Sequence, residues 1–254
     1  MAKTPNFLYT PGMENISDEV FELARAGRER YLAALSAPAS RRPGLLALLA
    51  YHEMLARIPR TAGEPMLARI KLQWWIDVAP GIAGGRPPSH PVARALAAAL
   101  DGVPGAAAKL RALAEAESFW LDQDGEPPLA ALSAHAHAAG GGLHELMLGV
   151  LGVDDDEAWA AARVVGAACV LADWALGGPS PGAAGEAAHA ARRMLAEARS
   201  RRVGRGAYPA LAAARLLDKP LEDLENGRSP TLRAAEPGPG AVLSVWWGKV
   251  TGRF

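Results

Sequence analysis

The run Pro43-Gly44-Leu45-Leu46-Ala47-Leu48-Leu49-Ala50-Tyr51-His52-Glu53-Met54-Leu55-Ala56-Arg57-Ile58 decides the fold. A proline at its head and another at position 59 bracket a helix whose apolar residues occupy almost every face. Such a helix is stable only at the centre of a domain, walled in by other helices. The polar side chains it carries, His52, Glu53 and Arg57, must therefore be paired or line a cavity. Glu53 and Arg57 stand one turn apart, so mutual pairing is one way to satisfy both.

The neighbouring segments supply the walls. Ser17 before Asp18 and Glu19 marks a helix start, and Phe21, Leu23, Ala24, Tyr31, Leu32 and Leu35 form an apolar stripe that runs to Pro38. Pro65 opens a further helix with Met66, Leu67, Ile70, Leu72, Trp74, Trp75 and Val78, which stops at Pro80. Arg69, Gln73 and Asp77, four apart, form its polar line. Trp74 and Trp75 are adjacent and cannot both point inward, so one packs in the core while the other lines a cavity or an exposed patch.

More helices are expected over 89–100, 104–121, 127–139, 142–151, 154–176, 185–202 and 207–217. Pro and Gly clusters at 84–88, 177–185 and 237–240 punctuate the series without the length of an interdomain linker. The expected organisation is a tail over 1–16, one helical domain over 17–235, and a C-terminal tail over 236–254 that carries the Trp246-Trp247 pair.

Composition agrees with an all-α single domain. Half of the 254 residues are apolar, only 6% are aromatic, and Ala dominates, which favours helix over strand. Lys plus Arg and Asp plus Glu balance at 27 each, so no net field draws the chain to nucleic acid. The single cysteine, Cys169, lies in an apolar run, which excludes an internal disulfide framework and a Cys-based zinc site. Met1-Ala2-Lys3-Thr4-Pro5-Asn6-Phe7 has no secretory-type apolar core, and no uncharged run reaches the roughly 18 residues of a spanning helix. The expectation is a cytoplasmic protein.

Arg30-Tyr31-Leu32-Ala33-Ala34-Leu35, then Arg41-Arg42-Pro43 and residues 45–57, resemble the opening helices of the squalene/phytoene synthase family. Glu64-Pro65-Met66-Leu67-Ala68-Arg69-Ile70-Lys71-Leu72-Gln73-Trp74-Trp75-Ile76-Asp77 is similar to a signature of the branch that includes the mitochondrial complex I assembly factor and its bacterial relatives. The resemblance covers roughly residues 28–176 and implies an isoprenoid-synthase fold, a helical bundle around a central cavity. In active members, several magnesium ions neutralise the departing diphosphate of a prenyl substrate. Those ions need hard oxygen ligands, and two facing Asp-x-x-x-Asp helices provide them.

This chain departs from that pattern. Ala56-Arg57-Ile58-Pro59-Arg60 stands where the first aspartate motif belongs, and the second helix offers only Asp173 before Gly177-Gly178. Acid pairs four apart include Asp18 with Glu22, Asp122 with Glu126, and Asp218 with Glu222. The first is at a helix start, the second in a loop, and the third is interrupted by Pro220, so all three read as solvated. Gly177-Gly178-Pro179-Ser180-Pro181-Gly182 replaces the family's Gly-Arg-x-Tyr-Leu-Pro-like segment.

Other constellations read as structural. His135 and His137 point to different helix faces, and His144-Glu145 lies beyond a triple glycine, so no zinc site forms; His137 and His144 are expected in a groove or at the surface. Asp154 and Glu157 fit a capping box. Arg192, Arg193, Arg199, Arg201, Arg202 and Arg205 complement a helix dipole or meet an anionic partner. Val242 to Trp247 with Lys249 and Arg253 either touch a membrane interface or partner, or dock back on the domain.

The functional expectation is a non-catalytic accessory or assembly factor of the respiratory complex I type, with no catalytic residues, metal or cofactor. Its partner is a protein, with a respiratory complex subunit as the candidate, and a prenyl or lipid ligand and peripheral membrane contact through Trp246 and Trp247 are open to it. Cavity or partner-binding candidates are Tyr51, His52, Glu53, Arg57, Gln73, Trp74, Trp75, Asp77 and Asp173. The alternative is an active magnesium-dependent prenyl-diphosphate transferase that has rebuilt its metal site from Asp77, Glu53 and Asp173. A helical interaction module unrelated to either is a third reading.

Overall fold

A computed structural model describes residues 16–228 and 238–254. Among these residues there is no strand, and the expected all-α bundle around a cavity is present. The elements are α1 (Asp18–Ala26), α2 (Arg28–Leu35), α3 (Arg42–Thr61), α4 (Pro65–Ala83), α5 (Pro91–Ala99), α6 (Ala106–Ala116), α7 (Leu129–Ala136), α8 (Gly142–Leu151), α9 (Asp156–Leu176), α10 (Pro181–Arg199), α11 (Tyr208–Leu211), α12 (Ala214–Glu225) and α13 (Pro239–Thr251). The expected N-terminal tail lies outside the described residues save Ile16, as does the junction before α13.

Helix α3 is the central one. Residues 44–52 are buried without interruption, as its all-round apolar sequence requires, and α1, α2, α5 and α8 pack around it. Helix α9 is the second axis, covered by α10, α8, α7 and a π-helical turn over His137–Gly141. Its length and mean hydropathy of 1.4 match a membrane span, yet 67% of that window is buried inside the domain. It is a core helix.

Glycine allows the tightest approach. A Cβ built on Gly166 of α9 would lie 2.5 Å from the Gly140 carbonyl carbon, and one on Gly140 would lie 2.6 Å from that of Gly166. Two backbones therefore touch here with no side chain between them. Nearby, Glu145 of α8 accepts from Lys109 of α6 and Arg163 of α9, which ties three helices together. Burial raises the Glu145 carboxyl, but the two cations outweigh it and hold it below its ordinary range.

Several local expectations need correction. The first helix breaks at Gly27, and Arg28 takes φ 36°, so α1 and α2 are separate. Proline ends neither α3 at 59, α4 at 80 nor α12 at 220: at 59 and 80 it lies near the helix end and removes few hydrogen bonds, and at 220, in mid-helix, the packing of buried Leu217 and Leu221 holds the helix through it. The cap of α9 is Asp155, whose Oδ1 accepts from Glu157 N at 3.1 Å, in place of an Asp154–Glu157 box. Asp218 and Glu222 share one face of α12, but each is paired, with Arg199 and with Lys219 and Arg228 respectively. His144 is in neither groove nor surface; it is buried, and burial with Arg30 nearby lowers its pKa to about 3, so it is neutral.

Candidate functional site

The cavity of about 660 Å³ lies between the C-terminal halves of α3 and α9. Helix α3 contributes His52, Glu53, Ala56, Pro59 and Arg60, spaced to share one face; α9 contributes Val170, Asp173 and Trp174, with its C-cap Gly177, in the same periodicity. The α1–α2 break adds Gly27, Arg28, Glu29 and Arg30, the chain after α6 adds Glu117 and Trp120, and α7 adds His135. Gly178 and Pro179, with Glu126 and Pro127 opposite, form part of the rim. Ser180 closes that rim by donating its hydroxyl to Glu126 at 2.7 Å.

Arg30 is the electrostatic centre. It is 5% exposed and reaches Glu53 Oε1 at 3.2 Å and Asp173 Oδ2 at 2.8 Å, so it bridges α3 and α9. Burial alone would lower its pKa, but Asp173 and then Glu53 outweigh that cost and hold it above its ordinary value. The expected Glu53–Arg57 pair is not formed: Glu53 faces Arg30, and Arg57 turns to solvent. The two carboxylates that the cavity offers on its opposed helices are thus committed to a guanidinium.

Glu117, like Arg30, is a cavity residue that sequence reasoning missed. It is 2% exposed, its Oε2 has no hydrogen-bond partner, and burial pushes its pKa up to about 7 despite the attraction of Arg60. Its only signal in the sequence was an acid placed two residues before Phe119-Trp120. His135 stacks on Phe119 with ring centroids 4.8 Å apart, and its Nδ1 lies 3.1 Å from Ala116 O. Burial lowers the pKa of His135, and of His52 as well, so both are neutral bases.

Of the sequence candidates, the structure brings His52, Glu53 and Asp173 together at the cavity. Tyr51 is buried behind it and donates to Leu110 O at 3.0 Å. Trp75 is buried between Tyr51 and His90, with ring centroids at 5.2 and 5.0 Å, while Trp74 is 40% exposed and rests edge-on against Trp75. Gln73 and Asp77 bond each other at 2.8 Å on the outer face of α4, so Asp77 cannot join Glu53 and Asp173 in a rebuilt metal site. Arg69 beside them pairs with Asp122 at 2.6 Å.

The family profile of squalene/phytoene synthase matches residues 23–175, more than half the chain and nearly all of the α3–α9 frame of this cavity. The chain belongs to the squalene/phytoene synthase family. Two solved structures extend the likeness over 95% of this chain and 98% of theirs. One is a dehydrosqualene synthase in complex with ligand, at 13% identity and TM-score 0.71. The other is the squalene synthase HpnC from Alicyclobacillus acidocaldarius, at 16% identity and TM-score 0.51. At such identities the likeness concerns the fold alone. No curated protein matches.

Membership in the squalene/phytoene synthase family makes magnesium the group to test against the residues present. No cluster of three or more His, Cys, Asp or Glu side chains able to hold a metal occurs among the described residues. On α3, Ala56 and Arg60 face the cavity one turn apart, and on α9 Asp173 is followed one turn later by Gly177. Arg30 occupies Glu53 and Asp173, Ser180 occupies Glu126, and Glu117 titrates near neutrality. The donor set does not fit a magnesium cluster.

Proposed function

We propose that this protein is a non-catalytic member of the family, an accessory or assembly factor of the respiratory complex I type that uses the inherited cavity or its rim for recognition. The observation that carries the reading is Arg30: it bridges the carboxylates of α3 and α9, the helices on which catalysis would need metal ligands. A prenyl diphosphate entering this cavity would meet five carboxyls against three arginines, without divalent cations to reverse that balance. The partner role draws on α4, whose Glu64–Asp77 segment carries the resemblance to the assembly-factor branch. That helix leaves Met66, Leu67, Ile70 and Trp74 exposed on one side, a surface suited to a protein partner.

The expected setting is the cytoplasm, at the inner face of the membrane where a respiratory complex is built. Purified protein given magnesium and farnesyl or geranylgeranyl diphosphate releases no diphosphate on this reading; sustained release overturns it and restores the prenyl-transferase reading. A pull-down from the native host that recovers NADH dehydrogenase subunits supports the assembly role, and one that recovers none of them removes it.

A further inference from the structure

Helix α13 turns one side to the domain and the other to solvent. Val245 and Gly248 are buried, and a Cβ on Gly248 would lie 2.6 Å from Arg215 Cδ, so the helix lies directly on α12. Tyr208 donates to Val245 O at 2.7 Å, Arg215 to Ser244 O and Arg253 O at 3.1 Å each, and Arg199 to Phe254 O at 2.7 Å. Donors from α10, α11 and α12 thus fix the helix by its backbone, which sets which face points outward.

That outward face is Val242, Leu243, Trp246, Trp247 and Val250, spaced as one helical stripe, with both tryptophans 58% exposed. Residues 239–254 contain no Asp or Glu but do contain Lys249 and Arg253. Arg205 abuts the end of the helix, 3.6 Å from where a Gly252 Cβ would stand. Asp218 of α12, although half exposed, is paired with both amino groups of Arg199 at 2.8 and 2.9 Å. The surface is apolar at its centre and cationic at its border.

We propose that α13 docks the protein on an anionic lipid bilayer, with Trp246 and Trp247 at the interface and the basic side chains against headgroup phosphates. Tryptophan between water and acyl chains satisfies its apolar body and its N–H together, and cations beside it gain from an anionic surface. The five side chains present on the order of 500 Å², less than the roughly 800 Å² that a stable dimer takes from each partner. Because the helix is already folded and held, binding bears no cost of ordering its backbone. The proposal stands apart from the cavity and from the assembly role.

Full-length protein is co-sedimented with vesicles of phosphatidylcholine alone and of phosphatidylcholine with phosphatidylglycerol. Binding to the anionic vesicles is expected, weakening with salt. Trp246→Ala/Trp247→Ala should lower it at least about tenfold, and Lys249→Glu about fivefold. Thermal melts check that the variants fold, and Leu243→Asp serves in place of the Trp pair if that variant does not. Binding to neither vesicle, equal binding by the variants, or a dimer that the Trp variant dissolves overturns the proposal.

Discussion

Helix α9 obeys opposite rules along its length. At Gly166 it meets the π-helical turn backbone to backbone, and shape alone decides what fits. From about one turn later onward, Val170, Asp173, Trp174 and Gly177 face an open cavity, where charge decides and space is free. The seam must keep its glycines for the bundle to close, whereas the cavity wall tolerates exchange of its polar groups while they remain mutually paired. The seam thus holds the fold, whereas the cavity wall sets only the charge that a bound molecule would meet.

Gly166→Ala is the severest test of the seam. Alanine is the better helix former, by about 1 kcal/mol, yet the overlap with Gly140 should cost more than about 3 kcal/mol. Urea unfolding measures the sum, and a variant as stable as its parent would break the contrast. Arg30→Met asks the corresponding question of the cavity. It leaves Glu53 buried beside Asp173 without a counter-charge, a loss of about 3 kcal/mol at neutral pH. Adding Glu53→Leu should restore most of that, because the penalty is electrostatic; no recovery would mean that Arg30 acts through packing.

The smallest effect is pH dependence through Glu117. Its folded pKa of about 7 lies above the ordinary 4.5, so the folded state binds the extra proton. Its stabilising share is complete below the unfolded value and is lost as pH rises through the folded one. Between about pH 5 and pH 8 the parent should lose about 2 kcal/mol from this group, and Glu117→Gln should remove that slope. Parallel pH profiles of parent and variant would show that the carboxyl is paired or hydrated.

Much of the frame was legible beforehand. The Pro43–Ile58 run fixed a central helix because no other environment suits so apolar a surface, and the empty aspartate positions were visible as Ala56, Arg60 and Gly177. The adjacent tryptophans divided as the helical period requires, Trp75 inward and Trp74 outward. Helix ends were less legible: prolines 59 and 80 read as stops and proline 220 as an interruption, although tertiary packing carries the helices through all three. The C-terminal segment showed its amphipathic composition but not which side was held down.

The sequence by itself determined an all-helical domain, its central element, and the lack of an Asp-x-x-x-Asp pair, since periodicity and residue type are local properties. Only the tertiary structure decided that Glu53 pairs with Arg30 and not with Arg57, that Asp77 stands outside, and that Glu117 lies buried at the cavity. Arg30 and Asp173 are 143 positions apart, at 2.8 Å across the cavity. Ion pairs and burial follow distances in space, and those are set by how the helices pack rather than by how any one of them is written.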